Sequence, residues 1–206
     1  MVEGRRRRRA GGARREATLD VVLDVLATRG FEGTRFLDIA EASGIAISTL
    51  QNYFGSREDM LIEALLRLTA REVAELEKVA ASEPGPWQRL VALLDRSLHT
   101  PRPTHMALVE FWHTAIRDDE LRQASSDVQT RYRNPFVQAI QDGAAQGVFT
   151  TSRYTAEDIA DYVLATLAGL IIPSAIGQTP PSPAAVHALL LDQLGTILGV
   201  TYEQTR

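Results

Sequence analysis

The stretch TRFLDIAEASGIAISTLQNYF, Thr34 to Phe54, decides the fold. Two short helical patterns meet at Ser43-Gly44-Ile45, with Phe36, Ile39 and Ala40 sharing a face before the break and Ile47, Leu50 and Phe54 after it. Apolar spacing of three and four on both sides of a glycine is the pattern of a helix-turn-helix. At 100° per residue the second helix gathers Ile47, Leu50 and Phe54 into a core stripe. Ser48, Thr49 and Asn52 lie opposite, with Gln51 and Tyr53 on the flanks. Small hydroxyl and amide side chains on the outer face of a short helix suit a DNA major groove.

Working outward, Leu19, Val22, Leu23 and Leu26 fall at i, i+3, i+4 and i+7, which predicts an amphipathic helix from Arg14 to Gly30. Gly30 stands where a helix C′ residue belongs, with Phe31 folding back on the last turn. Thr34 is expected to cap the next helix and Gly44 to end it. Ser56-Arg57-Glu58-Asp59 resembles a capping box, so a long helix should run from there to about Ala80.

Phe31, Thr34, the run Asp38 to Ile45, then Ser48-Thr49-Leu50, Phe54 and Ser56 to Leu61 closely resemble the N-terminal domain of TetR-family transcriptional regulators. The match covers about a quarter of the chain, in order and without gaps. The resemblance implies an all-α homodimer with a three-helix DNA-binding head and a C-terminal body that binds a small molecule and dimerises. Expected domains are a basic flexible arm (1–13), the head (14–60) and the body (61–206). On the same basis Arg14, Thr34, Arg35, Ser48, Thr49, Gln51, Asn52, Tyr53 and Arg57 are the expected DNA-binding residues. Two positions depart from the family. Gln51 stands where a tyrosine usually touches the DNA backbone. Ala46 replaces a serine N-cap, a loss of about 1 kcal/mol for the helix it begins.

Charge is unevenly distributed. Arg5 to Arg9 with Arg14 and Arg15, against Glu3 alone, make the first fifteen residues +6, and the formal −4 of the whole chain leaves −10 for the rest. An acidic body is repelled by phosphate, so nucleic-acid contact is expected only at the N-terminal end. No apolar segment follows the arginines, so they do not read as a secretory signal. The longest apolar stretch, Ile159 to Ile176, contains Asp161 and Pro173 and falls short of a membrane span. With no cysteine in 206 residues, neither a disulfide nor a thiolate site is available, in keeping with a reducing cytoplasm.

Beyond the breaks at Glu83-Pro-Gly-Pro86 and Thr100-Pro-Arg-Pro103, further helices are predicted. Trp87 to His99 is spaced by Leu90, Leu94 and Leu98. Thr104 to Arg117 puts His105, Leu108, Val109, Trp112 and Ile116 on one face. Asp119 to Gly147 carries Val128, Tyr132, Phe136 and Ile140 at intervals of four, and Pro135 is expected to kink or divide it. The last two, Ala156 to Ala175 and Ser182 to Leu198, are apolar over most of their circumference. They are therefore expected to form half of an intermolecular four-helix bundle.

Aromatic and adaptable side chains with a few polar groups are what a small-molecule pocket needs. The expected ligand-binding residues are His105, Met106, Val109, Glu110, Trp112, His113, Tyr132, Phe136 and Tyr162, lining a cavity for a largely apolar effector. Glu110-x-x-His113 is the most enzyme-like feature. Di-iron chemistry requires a second such motif, and this sequence has none, so neither metal nor cofactor is expected. No phosphate-binding loop or nucleophile motif appears. The expected function is a repressor that an effector releases from a palindromic double-stranded operator. The alternative is an all-α enzyme or interaction module whose helix-turn-helix is only structural.

Overall fold

A computed structural model describes residues 12–151, 153–178 and 181–200; the arm at Arg5 to Arg9 lies outside them. The described residues form nine helices and no strand: α1 (Ala13–Gly33), α2 (Phe36–Ser43), α3 (Ile47–Phe54), α4 (Arg57–Ser82), α5 (Pro86–Leu98), α6 (Arg102–Ala115), α7 (Asp119–Ala145), α8 (Ala156–Ala175) and α9 (Pro183–Leu198). Two compact units divide at Leu68/Thr69, inside α4 and beyond the boundary expected at Met60. The first three turns of α4 belong with the head because Met60, Leu61, Ala64, Leu65 and Leu68 are buried there.

In the head, α1 packs on α2 and α2 on α3 around Leu19, Val22, Leu26, Ile39, Leu50 and Phe54. Gly30 takes φ 70°, a left-handed conformation that only glycine adopts without strain, and this breaks α1 one turn before its end. Thr34 does not cap α2 as expected. Arg35 is the N-cap, its backbone N–H donating to Asp38 Oδ2 at 2.8 Å, while the Thr34 hydroxyl donates back to the Gly30 carbonyl at 2.8 Å. The left-handed Gly30 redirects the chain, so Thr34 closes the preceding turn and leaves the next one to Arg35. Ser56 caps α4 as its sequence predicts, accepting from the Asp59 N–H at 3.0 Å.

The core stripe of α3 also differs from its expected form. Leu50 and Phe54 are buried, but Ile47 is 37% exposed and the core position beside them is filled by Ile45 from the turn. Ile47 is the first helical residue, so its side chain leaves the helix before the buried face begins.

The body is a bundle in which α5 packs on α7 and α9, and α6, α7 and α8 pack on one another. Its core joins Leu90, Leu93, Leu94, Phe136, Ile140, Phe149, Ile159, Val163, Leu190 and Leu194. Pro135 does not divide α7: the helix runs through it, and the carbonyl that loses its helical donor belongs to Arg131, an exposed residue. Asp118 and Ser182 cap α7 and α9, accepting from Leu121 and Ala185 at 3.0 and 3.1 Å. Glycine at +65° ends α9 at Gly199.

Candidate DNA-reading face and effector cavity

Within the head, α3 shows Ile47, Ser48, Gln51 and Asn52 to solvent, while Thr49 and Tyr53 are half-buried. The outer face is therefore rotated from the expected Ser48–Thr49–Asn52 stripe towards Ile47 and Gln51. Ala46 precedes the helix with no side-chain cap, and its carbonyl accepts from Thr49 and Leu50.

Two arginines hold this helix and its neighbours in place. Arg15 of α1 donates to the Tyr53 carbonyl at 3.2 Å, forms a two-pronged pair with Glu63 of α4, and lies over the Phe54 ring. The last turn of α3 is thus tied to two other helices. Arg57 donates to the carbonyls of Phe31 and Thr34, stacks near the Phe31 ring and pairs with Glu58 at 3.0 Å. Both carbonyls sit at the α1–α2 junction, so Arg57 supports the head from within. Thr34 is fully buried, and its hydroxyl is spent on Gly30, so the side chain offers nothing to a DNA strand. Arg14 and Arg35 are exposed.

In the body, a cavity of about 650 Å³ opens between α4, α5, α6, α7 and α8. Its wall is largely apolar: Leu98, Leu108, Trp112, Val128, Leu164, Leu167, Leu170 and Ile171. Polar groups gather where α4 meets α5. The buried Glu72 carboxylate accepts from Arg96 at 2.8 Å, and Arg96 also donates to Thr100 Oγ1 at 3.1 Å. The Tyr132 hydroxyl donates to Ser97 Oγ at 3.3 Å, and Ser97 donates on to the Leu93 carbonyl.

Burial raises the Tyr132 pKa above its ordinary value and keeps the hydroxyl protonated. Burial also lowers the His105 pKa, an effect that the Glu72 charge partly opposes, so the imidazole is neutral at pH 7. Glu72 and Asp161 both line the cavity, whereas their partners Arg96 and Arg133 contribute nothing to its wall.

Of the expected ligand-binding residues, His105, Trp112 and Tyr132 line this cavity; Met106, Val109, Glu110, His113, Phe136 and Tyr162 do not. Phe136 is fully buried core and Tyr162 faces solvent at 44% exposure. The packed ridge of α6 is Ala107, Phe111 and Ala115, not the expected face from His105 to Ile116. Periodicity marks an apolar face but is blind to whether that face meets atoms or a void. Sequence reading missed Glu72, although its signal is visible: on α4 the stripe Leu65, Leu68, Thr69, Glu72, Leu76 puts a carboxylate among apolar positions. On α8 it named Tyr162 alone for the pocket and missed the lining residues Leu164, Leu167, Leu170 and Ile171.

Residues 86–199, more than half of the chain, match the model of the BetI-type transcriptional repressor C-terminal region. Residues 19–64 match that of bacterial regulatory proteins of the tetR family. The HTH-type transcriptional regulator BetI of Rhizobium meliloti is 25% identical over 188 residues, spanning 90% of this chain and 89% of its own. The HTH-type transcriptional repressor KstR2 of Mycolicibacterium smegmatis is 28% identical over 140 residues, 66% of this chain and 68% of its own. Among solved structures, a putative transcriptional regulator from Saccharomonospora viridis in complex with choline superposes with a TM-score of 0.76 at 27% identity, covering 89% of this chain and 96% of that one. With its capped helix-turn-helix, its separate helical body around a cavity and these matches over both, the chain belongs to the TetR family, with a BetI-type body, and is a DNA-binding repressor regulated by a small-molecule ligand.

Proposed function

We propose that a homodimer of this chain places its two α3 helices in successive major grooves of a palindromic operator and lets go when an effector fills the body cavity. The observation that carries this reading is the course of α4. It starts at the Ser56 cap in the head, and its later residues Thr69 and Glu72 line the cavity. A ligand that favours one placement of that helix over another changes the population able to span grooves about 34 to 36 Å apart. Ser48, Gln51 and Asn52 read the operator, and Arg14, Arg35 and the arginines from Arg5 to Arg9 hold its phosphates.

The dimer forms through α8 and α9, where Tyr162, Ile172 and Leu189 leave apolar surface exposed. Leu189→Glu is expected to yield monomers in sedimentation, and a dimer that survives this change removes α9 from the interface. The site of action is the cytoplasm. Among the described residues no helix is long and apolar enough to cross a membrane.

The effector is bulky, mostly apolar, and neutral or cationic. The cavity volume is that of a drug-sized site, larger than a small quaternary ammonium ion such as the choline held by the Saccharomonospora relative requires. Among the described residues, two carboxylates and no cation face the void, which disfavours an anion. A thermal-shift screen of neutral, cationic and anionic amphiphiles, followed by release of fluorescent operator DNA, tests the reading. Stabilising ligands should release wild-type protein from DNA and have no effect on Trp112→Ala, which still binds DNA. Ligands that release both proteins equally place the effector site elsewhere.

A further inference from the structure

Ile47 is, with Leu37 of α2, one of two large aliphatic side chains exposed among the described residues of the head. Large aliphatic side chains on a small domain are normally core, and this one has the spacing for it. Yet the core behind α3 is closed without it by Ile45, Leu50 and Phe54, and Ile47 is left 37% exposed. It occupies the first position of α3, the end of a recognition helix that meets base edges in helix-turn-helix proteins. One turn on along the same row is Gln51, and the next row carries Ser48 and Asn52, all exposed.

Chemically the face is as notable for what its sequence omits. The helix reads ISTLQNYF, with no lysine or arginine. Arginine or lysine on guanine O6 and N7 is the commonest specific major-groove contact, and α3 has no group to make it. Asparagine and glutamine instead match the N6 donor and N7 acceptor of adenine, and an aliphatic side chain has one apolar target in the groove, the thymine 5-methyl. Water is excluded from both surfaces when they meet, so Ile47 gains from thymine what no other base offers it.

We propose that Ile47 is a base-reading residue that packs on a thymine methyl beside an adenine read by Asn52, so that the major-groove contacts of each half-site are A·T pairs. This rests on the reading that α3 enters the groove, and it adds a residue and a base identity to that reading.

The test begins by selecting operator sequences from a random duplex pool with the full chain, then measuring affinity by fluorescence anisotropy at fixed salt. In the selected half-site each thymine is replaced in turn by uracil, which removes only the methyl group. At one thymine per half-site, wild-type affinity should fall about three- to tenfold. Ile47→Ala should bind the thymine site more weakly by a similar factor and respond less than about twofold to the same uracil. Because the uracil effect is read on the wild-type protein, a poorly folding variant does not remove the test.

A half-site with no uracil-sensitive thymine overturns the proposal, as does Ile47→Ala that keeps the sensitivity, or selected contacts that are G·C pairs. Asn52→Ala separates the two layers. If it loses affinity while uracil changes nothing, only the role of Ile47 fails. If Asn52→Ala and Ile47→Ala both bind as wild type does, α3 is not in the groove and the underlying assignment fails with it.

Discussion

Helices α3 and α6 both show apolar residues at helical spacing on one side, and the structure uses the two sides in opposite ways. Behind α3 the apolar side is packed: Leu50 is fully buried and Phe54 nearly so, and the face proposed to read DNA is the opposite one. On α6 the packed ridge is the narrow line of Ala107, Phe111 and Ala115, and the larger side chains His105, Leu108 and Trp112 face a void. A reading head has to hold its shape against DNA, so its core is filled. A cavity wall has to forgo packing partners of its own in order to offer its surface to a ligand.

The contrast is sharpest in stability. Phe111→Ala should cost the body about 3 to 5 kcal/mol and Leu50→Ala the head about 2 to 5 kcal/mol in urea denaturation, since each empties a fully buried site. Trp112→Ala, larger in volume removed, should cost under about 1.5 kcal/mol because it already borders empty space. Equal losses at Trp112 and Phe111 would break the distinction between wall and core.

A second pair of measurements asks whether the outer face of α3 works as the packed side does not. Asn52→Ala should leave the urea midpoint unchanged and weaken operator binding by about 1 to 3 kcal/mol. Unchanged affinity would return that face to ordinary solvated surface. Removing residues 1–13 tests the electrostatic share. For every phosphate the shortened chain no longer neutralises, the salt slope should flatten by about 0.9, with the preferred sequence intact. An unchanged slope would leave the arginines from Arg5 to Arg9 without a part in binding.

The smallest expected effect lies in the cavity and depends on pH. Burial lowers the folded-state pKa of His105 below 6.5, so the unfolded chain binds the proton more readily. Stability is then whole above about pH 6.5 and declines as pH falls below it, with Glu72 moderating the loss. His105→Gln should flatten that part of the stability profile, whereas a profile unchanged by the substitution would place the acid sensitivity in other groups.

Much of this could be read from the chain alone because it is local. The run Thr34 to Phe54 carries its own turn glycine and two apolar stripes, Ser56 and Asp59 make a cap between themselves, and Gly30 supplies a left-handed corner. Those interactions span a few residues, and the helix order of the body followed from them. The rotation of the α3 face, the burial of Thr34, and the split of the expected pocket residues into His105, Trp112 and Tyr132 on the wall and Phe136 in the core needed the tertiary structure. Helical periodicity gives the direction of a side chain about its own axis, and only the packing of other helices decides whether that direction meets atoms, solvent or a void. Ile47 and Glu72 show the limit plainly: an aliphatic residue left exposed while Ile45, two residues earlier in the turn, is buried, and a carboxylate tolerated inside because Arg96, twenty-four residues away, was brought to meet it.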